Sequence, residues 1–275
     1  MLDFLDTPKR SQKPRNIGIT HVIDRGIGIR QAQDLIETSG YLIDFLKLGW
    51  CTGYVTENLT EKISLYQDSN LPVYFGGTLF EVAILQNKFD AFRRMLTHYK
   101  ITHVEVSTGI IELSLDEKVR YIEALAQDFI VLSEVGRKDE SKRLDPLVWV
   151  EAIMAELEAG AWKVITESRE SGTAGICNSG GQIKSDLITE ITTQINHESL
   201  IFEAPNKAQQ LWFIQQFGHA VNLGNISVDD VIALETLRLG LRSDTIGMIF
   251  DSSMAARDQT GAALNNFIHS DLSVS

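Results

Sequence analysis

Short runs of apolar, mostly β-branched residues recur along the chain, and each is followed by a polar or glycine-containing break and an amphipathic stretch. A short apolar run bounded by turn residues is typical of a buried strand, whereas apolar residues spaced three and four apart are typical of one helical face. We therefore predict eight strands, at Ile19–Ile23, Leu42–Leu46, Val73–Phe75, His103–Val106, Ile130–Ser133, Lys163–Thr166, Leu200–Phe202 and Ala220–Leu223.

The stretch after the fifth strand illustrates how helices are predicted between the strands. Apolar residues recur at spacings of three and four over 147–157, which places them on one face of a helix. Asp145 can cap the amino end of this helix, and the proline after it is tolerated in the first turn. A capping-box spacing of Ser114 and Glu117 likewise predicts a helix that runs to Leu125.

The alternation of strands and helices predicts the fold class. Strands that recur at intervals of roughly 25 to 40 residues with helices between them predict parallel βαβ units, and eight units predict a closed (β/α)₈ TIM barrel. An open doubly wound sheet is the competing fold, but Asp24–Gly28 lacks the third glycine of its nucleotide-binding turn. We predict one domain, with a lead at 1–15, a barrel at 16–251 and a tail or extra helix at 252–275.

Composition narrows the function classes. The 275 residues are 44% hydrophobic, which excludes a disordered chain, and 25 basic against 37 acidic residues give a net charge of −12. That charge disfavours a nucleic-acid partner, although a local group of cations can still bind an anionic substrate. The charged amino terminus disfavours a signal peptide, and no apolar run is long enough to span a membrane. We expect a cytoplasmic protein in which Cys51 and Cys177 are free thiols.

Four consecutive predicted strands carry a glutamate at or just after their carboxyl end, namely Glu105, Glu134, Glu167 and Glu203. Because the carboxyl ends of all barrel strands meet at one mouth, we expect these side chains to converge there. Buried carboxylates are costly without a cation or a hydrogen-bond donor, and a separate salt bridge at each strand end is the alternative explanation. Oxygen ligands without a histidine or cysteine partner favour Mg²⁺ over Zn²⁺.

Basic and glycine-rich segments follow the same predicted strand ends. The basic residues are Arg25, Lys47, Arg137, Lys138 and Arg169, and the glycine-containing segments are Gly76–Thr78, Ser171–Gly175 and Asn222–Asn225. Glycine lets backbone N–H groups approach a phosphate, and barrels often bind phosphate near strands seven and eight. Turns also use glycine for its conformational freedom, so both interpretations of these segments stay open.

A series of short motifs, in the same order along the chain, resembles the phosphosulfolactate synthase family. They are Lys13-Pro-Arg-x-x-Gly-x-Thr, Asp24-x-Gly-x-Gly, Asp44-Phe-x-Lys-Leu-Gly-Trp, Gly76-Gly-Thr-Leu-Phe-Glu, Ser133-Glu-Val-Gly-x-Lys, Glu158-Ala-Gly-Ala-x-x-Val-Ile, Glu167-Ser-Arg-Glu-Ser-Gly, Phe202-Glu-Ala-Pro, and Asn222-Leu-Gly-Asn-Ile followed by Glu235-Thr-Leu-Arg-Leu-Gly-Leu-Arg. The resemblance implies a (β/α)₈ barrel, a homotrimer, and a lyase that uses Mg²⁺ to add sulfite to phosphoenolpyruvate. The implied product is (2R)-3-phosphosulfolactate, a precursor in coenzyme M or sulfolactate biosynthesis.

The resemblance also implies roles for individual residues. Lys138 is expected to be the general acid that protonates C2 of the substrate, and Glu105 and Glu134 are expected to bind Mg²⁺. The other expected catalytic residues are Lys47, Glu167 and Arg169, and the expected substrate-binding residues are Arg25, Gly172, Asn222 and Gly224.

Two positions depart from the family pattern, and two alternative functions follow from the resemblance. Cys51 stands where a glycine is expected, and Thr108 stands where an aspartate is usual, which removes either a metal contact or a loop cap. A plant branch of the family has a role in heat-stress tolerance, so a non-catalytic relative is one alternative. A different phosphoenolpyruvate or phospho-acid lyase on the same barrel is the other. The retained charges at the predicted mouth favour the synthase.

Overall fold

An eight-stranded parallel sheet forms the centre of the computed structural model, which describes residues 4–136 and 145–248. The strands are β1 (Thr20–Asp24), β2 (Phe45–Leu48), β3 (Val73–Phe75), β4 (His103–Val106), β5 (Ile130–Val135), β6 (Ala161–Thr166), β7 (Leu200–Glu203) and β8 (Leu223–Ser227). Their order is β3-β2-β1-β8-β7-β6-β5-β4. Because β1 pairs with both β2 and β8, the sheet curls into a nearly closed barrel, and the predicted (β/α)₈ fold is confirmed.

Side-chain contacts bridge β3 and β4, the two ends of the hydrogen-bonded sheet. The Tyr74 hydroxyl on β3 donates to Glu105 Oε2 on β4 at 3.0 Å. The backbone N–H of Gly77, just after β3, donates to Glu105 Oε1 at 2.6 Å. Glu105 therefore joins the two edges of the barrel at its mouth.

Helices connect the strands around the outside of the barrel. The described residues form α1 (Ile29–Ser39), α2 (Thr52–Val55), α3 (Leu59–Asp68), α4 (Gly77–Leu85), α5 (Phe89–His98), α6 (Leu115–Ala126), α7 (Pro146–Glu158), α8 (Ser185–Gln194), α9 (Lys207–Phe217) and α10 (Val231–Arg238). Both predicted caps are present: Ser114 and Glu117 form a capping box on α6, and Asp145 accepts from Leu147 N–H at 2.9 Å on α7. No helix in these ranges has the length and apolarity needed to cross a membrane.

Two strands, β2 and β8, begin three residues later in the chain than predicted. Leu42 lies in a short 3₁₀ turn, Gly40–Leu42, and β2 starts three residues after it. Val221 lies before β8 and is fully buried. Both residues are apolar because they pack under the barrel, and burial alone does not mark the first residue that pairs in a sheet.

Buried charged side chains close the amino-terminal end of the barrel. Arg15 Nη1 is 3.1 Å from Asp44 Oδ1, and Asp44 Oδ2 accepts the Thr20 N–H at 2.8 Å. Arg238 is fully buried and donates to the carbonyl oxygen of Val221 at 2.7 Å. This end of the barrel is therefore held by internal hydrogen bonds.

Candidate active site

An open cleft lies at the mouth of the barrel, where the strands reach their carboxyl ends. Its empty volume, which includes open solvent, is about 380 Å³. Its lining includes Lys47, Trp50, Gly77, Glu105, Ser107, Glu134, Glu167, Arg169, Glu203 and Asn225. Half of the residues that line the cleft are ionisable, so the cleft suits a small charged ligand.

Lys47 on β2 contacts two of the cleft glutamates. Its Nζ is 3.3 Å from Glu105 Oε2 and 3.4 Å from Glu203 Oε1, and only 5% of the residue is exposed. Burial by itself lowers the pKa of an ammonium group. Here the surrounding carboxylates outweigh burial and raise the pKa of Lys47 above its usual value, so the side chain stays protonated.

Glu105 is fixed by three groups. Besides Lys47, it accepts the Gly77 N–H and the Tyr74 hydroxyl. Burial raises the pKa of Glu105, and Lys47 opposes that effect. A Cβ on Gly77 would lie 2.4 Å from Ser107 Oγ, so only glycine lets the backbone come this close to the carboxylate. The Gly77 N–H, a candidate phosphate donor from the sequence, is thus used within the protein.

His21 lies behind Tyr74 and completes a buried chain of hydrogen bonds. Its Nε2 is 2.7 Å from the Tyr74 hydroxyl oxygen. Because that hydroxyl donates its proton to Glu105, the His21 nitrogen is the donor in this contact. Burial lowers the pKa of His21 well below its usual value, with Lys47 adding to the effect, so the imidazole is neutral.

Three further carboxylates, Glu134, Glu167 and Glu203, form what we call the glutamate cluster. One oxygen of each lies within 4.8 Å of the others, and all three residues are buried. Glu203 also accepts the Ser168 N–H at 2.9 Å, and Glu167 accepts the Arg169 N–H at 2.6 Å. Burial raises the pKa of Glu203 to about 7, although the neighbouring lysine opposes this shift.

The chemistry of the glutamate cluster fits a divalent metal ion. Carboxylates this close repel one another, and burial removes the water that would screen them. Lys47 carries one buried positive charge, and the carboxylates around it outnumber that charge. Oxygen-only donor sets suit hard cations such as Mg²⁺ and Ca²⁺. The cluster could therefore hold a metal ion.

Three residues of the cleft have left-handed backbone conformations without being glycine. Trp50, Arg169 and Asn225 have φ angles of 54°, 61° and 55°. All three line the cleft. Such conformations are uncommon for non-glycine residues and are found preferentially where a site requires a particular side-chain direction.

Comparison with known proteins decides the family. The sequence model described as (2R)-phospho-3-sulfolactate synthase (ComA) matches residues 8–244. The chain belongs to the phosphosulfolactate synthase family. Membership confirms the resemblance drawn from the motifs, and it makes the chain an enzyme whose reaction is an addition of the lyase type.

Proteins similar in sequence to this chain match over nearly their whole length. The phosphosulfolactate synthase of Bacillus subtilis (strain 168) is 46% identical over 249 residues, which cover 89% of this chain and 99% of the relative. That of Methanothermobacter thermautotrophicus is 42% identical, over 90% of this chain and 98% of the relative. Protein HEAT-STRESS-ASSOCIATED 32 of Arabidopsis thaliana is 20% identical, over 86% of this chain and 90% of the relative.

Solved structures similar to this phosphosulfolactate synthase family member support its fold. 3-Hexulose-6-phosphate synthase matches with a TM-score of 0.51 at 12% identity, covering 80% of this chain and 98% of that one. Deoxyribose phosphate aldolase from Aeropyrum pernix also has a TM-score of 0.51 at 12% identity, over 79% and 88% of the two chains. At this identity the likeness concerns the barrel alone.

The structure brings half of the predicted site residues together. Those that line the cleft are Lys47, Glu105, Glu134, Glu167 and Arg169. Arg25 is exposed just after β1, where its Nη2 donates to Ser227 Oγ at 3.3 Å. The predicted general acid Lys138 lies outside the described residues, as does the predicted tail or helix at 252–275.

Two predicted phosphate-binding glycines face protein atoms. Gly172 is buried against Gln209, whose Nε2 donates to the Gly172 carbonyl oxygen at 2.8 Å. A Cβ on Gly172 would lie 2.4 Å from that nitrogen. A Cβ on Gly224 would lie 2.9 Å from both His21 Nδ1 and Ile201 Cγ2. Close packing inside the protein therefore accounts for glycine at both positions.

Asn222 does not reach the mouth either. It precedes β8, at the opposite end of the strand from the cleft. Its Oδ1 accepts the Ile19 N–H at 3.0 Å, and its Nδ2 donates to the carbonyl oxygens of Leu200 and Glu198 at 2.9 and 3.0 Å. The prediction placed this segment after the strand because it placed β8 too early in the chain.

Glu203 and Asn225 belong to the cleft although neither is among the predicted catalytic, binding or metal residues. The signal for Glu203 is in the sequence, because it is the fourth of the glutamates at successive strand ends. For Asn225 the sequence indicates only the segment, Asn222–Asn225, because an irregularity in β8 determines the direction of its side chain.

The loop after β4, which contains Thr108, is held by Glu81 of α4. This buried carboxylate accepts the N–H groups of Gly109, Ile110 and Ile111 at 3.2, 2.7 and 2.9 Å. A carboxylate that accepts several backbone donors fixes a loop strongly. Glu81 therefore supplies a loop cap near Thr108.

Proposed function

We propose that this chain adds sulfite to phosphoenolpyruvate with the help of Mg²⁺ and forms (2R)-phospho-3-sulfolactate, the phosphosulfolactate that carries sulfur at C3. The observation that carries the proposal is the convergence of Lys47 with four buried glutamates at the barrel mouth of a phosphosulfolactate synthase family member. The substrates are anions and the metal is a hard cation, so a cleft that contains both basic groups and clustered carboxylates matches the reactants.

The proposed reaction forms one C–S bond and one C–H bond. The sulfur lone pair of sulfite attacks C3 of phosphoenolpyruvate, and the electron pair of the C2=C3 bond moves toward the substrate carboxylate. That electron pair then takes a proton at C2. The protein must therefore position two anions side by side, stabilise a more negative carboxylate and deliver one proton.

Glu134, Glu167 and Glu203 are the residues that would hold Mg²⁺. Bound Mg²⁺ supplies positive charge that stabilises the negative charge developing on the substrate carboxylate. We favour this set over the pair of Glu105 and Glu134, because one oxygen of each of the three lies within 4.8 Å of the others. Both oxygens of Glu105, by contrast, accept hydrogen bonds from Tyr74 and Gly77.

The basic residues of the cleft are proposed to bind the reacting anions. Lys47 keeps its positive charge in the cleft and is directed by Glu105 and Glu203. Arg169 lines the same cleft, and its guanidinium group suits bidentate contact with a carboxylate, sulfite or phosphate. Lys138 stays our candidate for the proton donor to C2, as the family resemblance implies, and the homotrimer likewise stays a prediction.

The heat-stress alternative is less well supported by the cleft. A relative that had lost catalysis would be free to lose buried charges that cost folding free energy. Here Lys47 and all four strand-end glutamates are present and buried. The presence of these buried charges, despite the folding free energy they cost, favours a catalytic role for the mouth.

A turnover assay tests the proposed function. Purified protein given phosphoenolpyruvate, sulfite and Mg²⁺ is expected to form phosphosulfolactate, and omission of sulfite or chelation of Mg²⁺ is expected to abolish it. Glu167→Gln removes one carboxylate of the glutamate cluster and is expected to lower kcat by about tenfold or more, whereas Glu123→Gln, exposed on α6, is the matched control. Absence of product at every sulfite concentration would overturn the proposal.

A further inference from the structure

The strand β8 contains a bulge at the level of the cleft. Thr20 of β1 pairs with Leu223 of β8, and Val22 of β1 pairs with Ile226 of β8. The two residues of β1 are two positions apart, whereas their partners in β8 are three positions apart. Gly224 and Asn225 therefore lie opposite a single residue of β1. A bulge of this kind changes the direction in which a side chain points, and bulges are frequent beside active sites.

The bulge accounts for the direction of the Asn225 side chain. Gly224 faces the barrel interior, since a Cβ on it would meet His21 Nδ1 at 2.9 Å. Regular alternation would then turn the next residue outward, toward the helices. Instead Asn225 adopts a φ of 55° and lines the cleft beside Lys47 and Glu203.

The side-chain oxygen of Asn225 is buried without a hydrogen-bond partner. Only 6% of the residue is exposed, and no group in the described parts of the chain donates to its Oδ1. Leaving a buried amide oxygen unpaired costs free energy, and buried polar groups in folded proteins almost always have partners. A partner supplied by a ligand explains why the site has both the unusual backbone and the unpaired amide oxygen.

The neighbouring charges indicate which ligand group the amide meets. The cleft holds four buried carboxylates, so an anionic oxygen needs hydrogen-bond donors to enter it. Lys47 already contacts Glu105 and Glu203, whereas an asparagine offers two N–H donors without a formal charge. A half turn of the amide exchanges its oxygen and nitrogen with little change in shape, so an anion can select the orientation that presents the NH₂ group.

We propose that Asn225 is a substrate-binding residue whose side-chain NH₂ group donates to an oxyanion of the substrate. The bulge in β8 positions this group, and the left-handed backbone favours asparagine over most other residues. The identity of the substrate rests on the proposed function. The presence of an oxyanion site at Asn225 does not, and the experiment treats the two separately.

Two substitutions separate the amide from the backbone. Asn225→Gly removes the side chain and keeps a residue suited to a φ of 55°, so the fold is expected to persist. Asn225→Asp keeps the shape and one oxygen but replaces the NH₂ donor by a negative charge. Asn87→Gly is the matched control, because Asn87 also has a φ of 55° but is exposed at the end of α4.

The first measurement is the KM for phosphoenolpyruvate. Both Asn225 variants are expected to raise it by about tenfold or more, with Asn225→Asp the more severe, while Asn87→Gly keeps the KM of the unaltered protein. An Asn225→Gly variant with an unchanged KM would overturn the proposal, because only the backbone conformation would then matter. An Asn225→Asp variant with an unchanged KM would also overturn it, since a donor would not be needed.

Calorimetric titration with inorganic phosphate and with sulfite keeps the test independent of turnover. If the unaltered protein forms no phosphosulfolactate but binds either anion, weaker binding by both Asn225 variants supports the oxyanion site although the proposed function fails. Equal binding by the unaltered protein and the variants, or no binding of phosphate or sulfite by any of them, would overturn the oxyanion site.

Discussion

The hydroxyl group of Tyr74 links the cleft to the barrel interior. It donates to Glu105 at 3.0 Å and receives a hydrogen bond from His21 at 2.7 Å. Burial first, and then the neighbouring carboxylate of Glu105, raise the pKa of Tyr74 well above its usual value, so the hydroxyl keeps its proton. One neutral donor therefore holds a carboxylate that also orients Lys47.

We expect Tyr74→Phe to destabilise the fold by about 1–3 kcal/mol, because it leaves a buried carboxylate oxygen and a buried imidazole N–H without partners. Tyr41→Phe is the control, because Tyr41 is 59% exposed, and its effect is expected to stay within about 0.5 kcal/mol. Urea unfolding at neutral pH measures both changes. Equal free energies of unfolding for the two variants would show that the hydrogen bonds of Tyr74 do not stabilise the native state.

Single residues differ in how far the sequence predicts their position. The strand-end glutamates could be predicted because strand register and barrel topology suffice to bring them to one mouth. Gly172 and Asn222 could not, because glycine and asparagine serve close packing and backbone capping as readily as phosphate binding. Asn225 depends on a single extra residue in β8, which no hydrophobic pattern records.

The loop between β6 and α8 is held in place by a side chain from a neighbouring helix. Gln209 of α9 reaches into it and donates to the carbonyl oxygens of Gly172 and Gly181, and to Cys177 Sγ at 3.2 Å. Glu167 and Arg169, which line the cleft, lie at the start of this loop. Gln209 therefore fixes, from outside the barrel, the loop that carries two site residues.

Thiol labelling reports on this loop. Burial raises the pKa of Cys177 to about 12, so almost no reactive thiolate is present at pH 8, and labelling is expected to be far slower than at the half-buried Cys51. Gln209→Ala is expected to speed labelling of Cys177 by about tenfold or more, and Gln86→Ala, exposed after α4, is the control. Peptide mass spectrometry over time measures both sites. Native labelling of Cys177 as fast as Cys51 would contradict a closed loop.

The elements themselves were largely predictable, because alternating strand and helix patterns are local signals. The caps of α6 and α7 are examples in which neighbouring residues specify the helix start. The starts of β2 and β8 were placed too early, because apolar residues below the barrel continue the strand pattern into the preceding turn. Tertiary packing, rather than local preference, decides those boundaries.

The whole molecule is acidic, and its mouth combines buried carboxylates with basic groups. The net charge of −12 by itself disfavours anionic ligands. At the mouth, Lys47 and Arg169 supply positive charge, and the glutamate cluster offers oxygen ligands for a metal ion. Local arrangement therefore matters more than net charge for the proposed reaction between two anions.

The cleft is proposed to join sulfite to C3 of phosphoenolpyruvate and to deliver a proton to C2. The most direct measurement is mass spectrometry of the product formed by the full-length protein in D₂O with phosphoenolpyruvate, sulfite and Mg²⁺. The predicted product is a phosphosulfolactate that carries one non-exchangeable deuterium at C2. Unchanged phosphoenolpyruvate, or a product without sulfur, would contradict the claim.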